Sequence, residues 1–332
     1  MDIIDLIYNV AILFLMMIPG VILKKCNLIG DGFGKGISNL VLYIAQPCLI
    51  FMAYVKEFDK DVLINSLWIL LFSVIAHAVF SAVALSLYKK APDSARRMLR
   101  FATIFSNAAF MGIPLIGAII PDSSALIYAS VYNITFNLFL WTLGVHICVE
   151  KRDLDNDGDV DSDDLKIKDE HARASIKKAL IHPVTIAAFL GLIIFITPLD
   201  SYLMKAGIIV DSLNMLKNLV APLSMMVIGI RLADIDFKGF FNDKNVYLFL
   251  ALRHILLPLF VAGIARLIML SGIIDYNVFL VFVIMTSAPA ATSATMFAEK
   301  YDCDASYVSK LVTVSTILSI ATMPLVMLIA TV

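Results

Sequence analysis

The chain has 332 residues, is 60% hydrophobic and carries a formal net charge of −1. Its mean hydropathy is +0.89, whereas soluble domains are about half apolar, so the composition excludes an ordinary soluble domain. The near-neutral charge provides no field to draw nucleic acid.

The apolar residues fall into runs of about 20, each long enough to cross about 30 Å of hydrocarbon. The N-terminus reads MDIIDLIYNV. It is acidic and has no small-residue cleavage site, so it reads as a retained first helix rather than a signal peptide. Spans are predicted at 3–23, 36–55, 62–88, 99–120, 123–149, 180–198, 208–231, 246–271, 277–298 and 304–331. With the N-terminus placed outside, the loops that become cytoplasmic, with the boundary residue Arg231, hold 19 basic residues. The outward loops hold only Lys56, Lys60 and Lys205. That asymmetry predicts a multi-pass protein of the cell (inner) membrane with both termini extracytoplasmic.

Along the chain, Gln46 precedes Pro47, a predicted helix kink in the second span, and reads either as lining a site or as bonding between helices. His77 in the third span reads either as a titrating group or as a packed, hydrogen-bonded residue. The fourth span contains Ser106-Asn107-Ala108-Ala109-Phe110-Met111-Gly112-Ile113-Pro114. Asn133 and Asn137 share a face of the fifth span, where they line a site or bond between helices. The acidic loop then places Asp153, Asp155, Asp157, Asp159, Asp161 and Asp164 at the spacing of a calcium-binding loop, with Gly158 at the sharp turn. The competing reading is a solvated acidic linker. Residues 168–179 form an amphipathic helix candidate.

In the seventh span Pro222 is a second predicted kink, and Asn214, Lys217 and Asn218 share a face. Lys217 reads as snorkelling to the interface or attracting anions at an outer mouth. Arg253 and Arg266 read as snorkelling from their helix ends. The ninth span contains Thr286-Ser287-Ala288-Pro289-Ala290-Ala291-Thr292-Ser293. The four cysteines are scattered and read as apolar fillers. No Asp or Glu falls in the middle of a span, so a carboxylate proton relay lacks its residue.

Ten spans with a long loop after the fifth predict two five-helix repeats, 1–149 and 179–332, joined by a cytoplasmic loop at 150–178. An odd number of spans per repeat inverts one relative to the other. Pro47 and Pro222, Pro114 and Pro289, and Asn39 and Asn214 share an offset of 175 residues. The small and polar stretches of the fourth and ninth spans read as broken helices. Gly112, Pro114 and Pro289 are the residues expected to unwind them. The half-helix beginning after each break carries about half a positive charge at its start. Two such starts meeting near the midplane form an anion site without a buried Arg or Lys. Proline kinks that only shape packing are the alternative. The residues predicted to contact a small anionic substrate are Asn107, Gly112, Ile113, Pro114, Asn133, Asn137, Ser287, Ala288, Pro289 and Thr292.

SNAAFMGIP (106–114), APLSMMVIG (221–229) and SAPAATSATMFA (287–298) resemble the auxin efflux carrier family, which includes bacterial malate and malonate permeases. The resemblance covers nearly all of the chain except 150–178. It implies an all-α membrane fold of two inverted five-helix repeats with crossed broken helices 4 and 9, like that of bile acid symporters. It also implies elevator-like alternating access, and Asn107, Gly112, Pro114 and Pro289 match the family's crossover. Ala109 stands where the family often has glycine.

The expected function is thus secondary transport of a small organic anion, with lipid around the protein and a proton, sodium ion or nothing coupled to it. A homodimer is expected, no cofactor is needed for transport, and Ca2+ is a candidate ligand of the acidic loop. A channel, or a sensor switched by that loop, is the alternative. The spans contain no nucleophile–base pair, metal-ligand cluster or nucleotide loop, so an enzyme is not expected.

Overall fold

The computed structural model describes residues 3–30, 32–120, 122–149, 181–233 and 240–331. The six aspartates of the calcium-loop spacing, Asp153 to Asp164, lie outside the described residues.

The described chain is helical. In order it forms α1 (Tyr8–Lys25), α2 (Phe33–Ala53), α3 (Lys60–Ser86), α4 (Asp93–Ile104), α5 (Ala108–Ile119), α6 (Ser124–Val149) and α7 (Pro183–Ile196). These are followed by α8 (Gly207–Leu232), α9 (Lys244–Leu270), α10 (Tyr276–Ser287), α11 (Ser293–Lys300) and α12 (Ala305–Thr331). Among the described residues, seven helices (α1, α2, α3, α6, α8, α9 and α12) are long and apolar enough to cross a membrane. The predicted fourth and ninth spans are each split, into α4 and α5 and into α10 and α11.

Local chemistry sets the ends. Asp59 caps α3 by accepting the Asp61 N–H at 2.8 Å, and Asp243 caps α9 by accepting that of Asn245 at 2.9 Å. Pro183 opens α7, where its missing N–H is harmless. Inside the rods, prolines leave a repeated mark. The helices widen into π-turns at Val41–Ala45, Ala108–Gly112 and Leu252–Leu256, and Pro47, Pro114 and Pro258 follow each of these by two residues. A proline cannot donate to the carbonyl four residues back and its ring crowds that carbonyl; a wider turn relieves both problems. Pro47 therefore follows a local bulge, and Pro222 follows the turn at 218–219 that interrupts α8.

The helices pack into two groups. One contains α1, α2, α7 and α8, and the other α3, α4, α6, α9, α10, α11 and α12. Within the first group α1 and α8 cross through reciprocal glycines. A Cβ on Gly20 would lie 2.2 Å from the Met226 carbonyl oxygen, and one on Gly229 would lie 2.0 Å from that of Met17. Small residues at such crossings let helix backbones touch in an apolar medium. Helix α5 lies where the groups meet, packed against α1 and α8 of the first group and against α6 and α10 of the second.

The outer surface is apolar. Ile186, Phe189, Leu190, Ile193 and Ile196 of α7 and Ile208 and Met215 of α8 are exposed. The polar groups are inside, where Ser and Thr hydroxyls bond back to their own helices, as Thr316 does to the Val312 carbonyl at 2.7 Å. Polar inside and apolar outside is the inverse of a soluble domain.

Candidate functional site at the paired helix breaks

Helix α4 stops at Ile104, and Phe105 is extended at φ −93° and ψ 120°. Helix α10 stops at Ser287, followed by Ala288 at φ −57° and ψ 149°. The two unwound segments pair antiparallel through Ser106 and Ala290. The Asn107 N–H donates to the Pro289 carbonyl at 2.7 Å, and the Ala291 N–H to the Phe105 carbonyl at 2.9 Å. Each break satisfies backbone groups that the other exposes. Non-helical backbone survives at membrane depth only when it is buried and bonded in this way.

Side chains hold the remaining backbone ends. Arg253, fully buried at 0% exposure, donates Nη2 to the Ala288 carbonyl at 2.6 Å and Nη1 to the Thr103 carbonyl at 3.4 Å. Its guanidinium also lies 5.5 Å from the Phe80 ring centroid. The Ala290 N–H donates to Ser315 Oγ at 2.8 Å, and Ser315 lies 2.8 Å from His254 Nε2. His254 Nδ1 is 2.9 Å from Thr322 Oγ1, whose own proton goes to the Leu318 carbonyl at 3.1 Å. Protons are directed along the whole path when His254 is neutral and carries its proton on Nδ1. Arg231 donates Nη1 to the Thr292 carbonyl at 2.9 Å. The adjacent Arg253 and His254 both belong to the π-turn Leu252–Leu256, and together they grip the second break on either side of Pro289.

Three sequence expectations are corrected by this geometry. Arg253 does not snorkel: it is buried and bonded to the ends of two helices, because the carbonyls at the breaks need donors that apolar neighbours cannot supply. A cation therefore lies beside the breaks, where the sequence suggested a site without one. Gly112 and Pro114 do not unwind the fourth span either. They lie within α5, and the chain is extended before Asn107 instead. The offset of 175 also does not relate the breaks, since it carries Asn107 to Phe282, inside α10.

The predicted contact residues divide by position. Asn107 is the N-cap of α5, is 2% exposed, and has no protein partner for Nδ2. Ala288 and Pro289 are in the second break, flanked by Ser287 at the end of α10 and by Thr292 at the N-cap of α11. The Ser287 hydroxyl bonds back to the Ile284 carbonyl at 3.3 Å. Gly112, Ile113 and Pro114 lie further along α5, and Gly112 is pressed against α10. A Cβ there would meet Met285 Sδ at 2.6 Å. Asn133 and Asn137 are buried on α6. Asn137 donates Nδ2 to the Asn133 carbonyl at 2.9 Å, so its amide is engaged within its own helix, while Asn133 Oδ1 has no partner.

Two further groups reach this neighbourhood: Gln46, which the sequence left between lining the site and bonding between helices, and Ser224, which it did not single out. Gln46 donates Nε2 to the Ala109 carbonyl at 3.1 Å, joining α2 to the start of α5. Its Oε1 is buried without a partner, as is Ser224 Oγ on α8. His77 packs against the break residue Phe105 and among Tyr132, Phe136 and Phe139, with Nδ1 2.7 Å from the Ser73 carbonyl. Buried polar atoms are normally bonded, and those without a protein partner near the breaks include Gln46 Oε1, Ser106 Oγ, Asn107 Nδ2, Asn133 Oδ1, Ser224 Oγ and Ser293 Oγ.

Over 320 residues the chain is 25% identical to an uncharacterized transporter of Methanothermobacter thermautotrophicus, covering 96% of each protein. Residues 5–327 match the profile of a family described as membrane transport protein, the family of the auxin efflux carriers whose motifs the sequence resembles. The chain belongs to the membrane transport protein family.

Proposed function

We propose that this protein is a secondary transporter that moves a small organic anion, a carboxylate, across the inner membrane. The observation that supports this most directly is the pairing of the two breaks beside the unpartnered Asn107 amide. Each break ends one helix and starts another, and the starts of α5 and α11 present free N–H groups and partial positive charge. Counting each split helix as one span gives ten spans, read as two inverted repeats around the breaks. Both termini face outward on the distribution of Lys and Arg.

Movement of the group containing α3, α4, α6 and α9–α12 against the group of α1, α2, α7 and α8 is the elevator-like step in this reading. Helix α5 and its site lie at the sliding surface. Gln46 and Ser224 face that step from the group of α1, α2, α7 and α8. The acidic loop, if it binds Ca2+, acts on regulation from the cytoplasmic side.

Reconstitution of the purified full chain into proteoliposomes tests the proposal. Saturable uptake of a labelled dicarboxylate, accelerated by unlabelled anion trapped inside, is the expected result. Uptake that rises linearly with concentration indicates a channel. No flux, together with calcium-dependent protection of 150–178 from protease, indicates a sensor.

A further inference from the structure

Arg253 is a buried cation without a carboxylate: among the described residues no Asp or Glu forms an ion pair with it. Isolated buried charge is strongly unfavourable, so something must balance it. The groups it touches are the Thr103 and Ala288 carbonyls. Thr103 lies in the last turn of α4 and Ala288 is the C-cap of α10. Each helix C-terminus carries about half a negative charge, so the two together balance one guanidinium.

The opposite ends are not balanced. Helix α5 starts from Asn107 and α11 from Thr292, and neither has an acidic residue in its first turn. Together they leave about one positive charge beside the breaks, to which Arg231, bonded to the Thr292 carbonyl at 2.9 Å, adds its own. Asn107 Nδ2, buried and unpartnered, adds a donor at one of these starts.

We propose that Arg253 sets the charge preference of the site. By cancelling the two negative helix ends it leaves the two positive ones unopposed, and the crossing then takes one carboxylate in preference to the matching neutral amide. This inference rests on the paired breaks being the substrate site. Replacing the arginine with a neutral residue restores the negative ends and removes one positive charge from the crossing, leaving Arg231 at the start of α11, so the preference for acid over amide shrinks. Arg253 acts through helix ends rather than by touching the guest, which makes it a positioning residue.

The test measures binding to the detergent-purified full chain, using malonate, malate and succinate, each against its neutral diamide. Wild type is expected to prefer the acids. Arg253→Gln should lower the acid-to-amide ratio about tenfold. Arg253→Lys, which keeps the charge without the planar fork, should hold the ratio within about twofold even if stability drops. A merely structural arginine would change stability in both variants and leave the ratio alone. If wild type prefers no acid, the reading of the breaks as an anion site fails and takes this inference with it. If wild type prefers acids and Arg253→Gln keeps that preference, only the role of Arg253 is overturned. Should Arg253→Gln not be recovered folded, the neutral Arg253→Met takes its place in the same comparison, and an unchanged acid-to-amide ratio in it overturns the role of Arg253.

Discussion

Asn107 donates its backbone N–H to the carbonyl of Pro289 at 2.7 Å, so the start of one interrupted helix is held by the break in the other. The Asn107 side chain stays free of that bond, with Nδ2 buried and unpartnered. The backbone N–H is thus engaged in the structure while the side-chain amide is not.

Asn107→Ala removes only the amide. Uptake in proteoliposomes is expected to fall by about tenfold or more, the scale of one hydrogen bond to a charged group, while the amount of protein in the membrane stays unchanged. Wild-type uptake by the variant would remove the Asn107 amide from the site.

The glycines separate into tolerant and intolerant positions. A Cβ on Gly229 meets the Met17 backbone at 2.0 Å, which cannot move without shifting a helix, whereas a Cβ on Gly112 meets the side chain of Met285 at 2.6 Å. Gly229→Ala should therefore lower the thermal midpoint far more than Gly112→Ala, whose overpacking is worth about 1–3 kcal/mol. Adding Met285→Ala should recover part of the loss in Gly112→Ala and none in Gly229→Ala. Equal midpoints for the two single variants would contradict the crossing described for α1 and α8.

Ser315→Ala leaves the Ala290 N–H and one nitrogen of His254 without partners, a destabilisation of about 1–3 kcal/mol. Because both residues act in one path, Ser315→Ala combined with His254→Ala should be less destabilising than the sum of the two. A coupling of at least about 0.5 kcal/mol in a double-mutant cycle of unfolding is expected. Simple additivity would show that the path is not maintained in solution.

Outside the spans, Asp122 accepts the Ser124 N–H at 2.9 Å, lies 3.9 Å from Lys56 Nζ and accepts from Asn277 at 3.3 Å. Partial burial works to raise its carboxyl, but the Ser124 hydrogen bonds, Lys56 and Asn277 outweigh it and hold the group below its ordinary value of 3.8. The carboxylate therefore contributes stability that is fully present above 3.8 and is lost as pH falls below that value. Thermal melts of wild type should lose more on acidification through this range than those of Asp122→Asn. The difference should shrink in high salt, because the group is partly exposed.

Much of the architecture was legible because apolar runs and polar interruptions are local signals. Both breaks were visible as small and polar residues where Leu and Ile would be expected. Their exact placement was not. Gly112 and Pro114 are poor helix residues on any local scale, yet α5 runs through them because a π-turn absorbs the missing N–H of Pro114. Arg253 was misread for a different reason. It lies near enough to its helix end to reach the surface, and only the fold reveals two carbonyl ends within its reach. The signal available was the adjacent Arg253-His254 pair inside an apolar run, since ionisable residues at such depth are usually functional. Ser315 carried no local sign of its role, which comes from helices distant in sequence.

The pairing of Ser106 with Ala290 also constrains how the polypeptide is assembled. Synthesis proceeds at about 5–20 residues per second, so the second strand of the pair emerges roughly ten to forty seconds after the first. Until then the Asn107 N–H and the Phe105 carbonyl lack the partners they have in the finished protein. The early part of the chain must wait in water, at the translocon or against a chaperone, and the native seating of α5 is an event of late biogenesis.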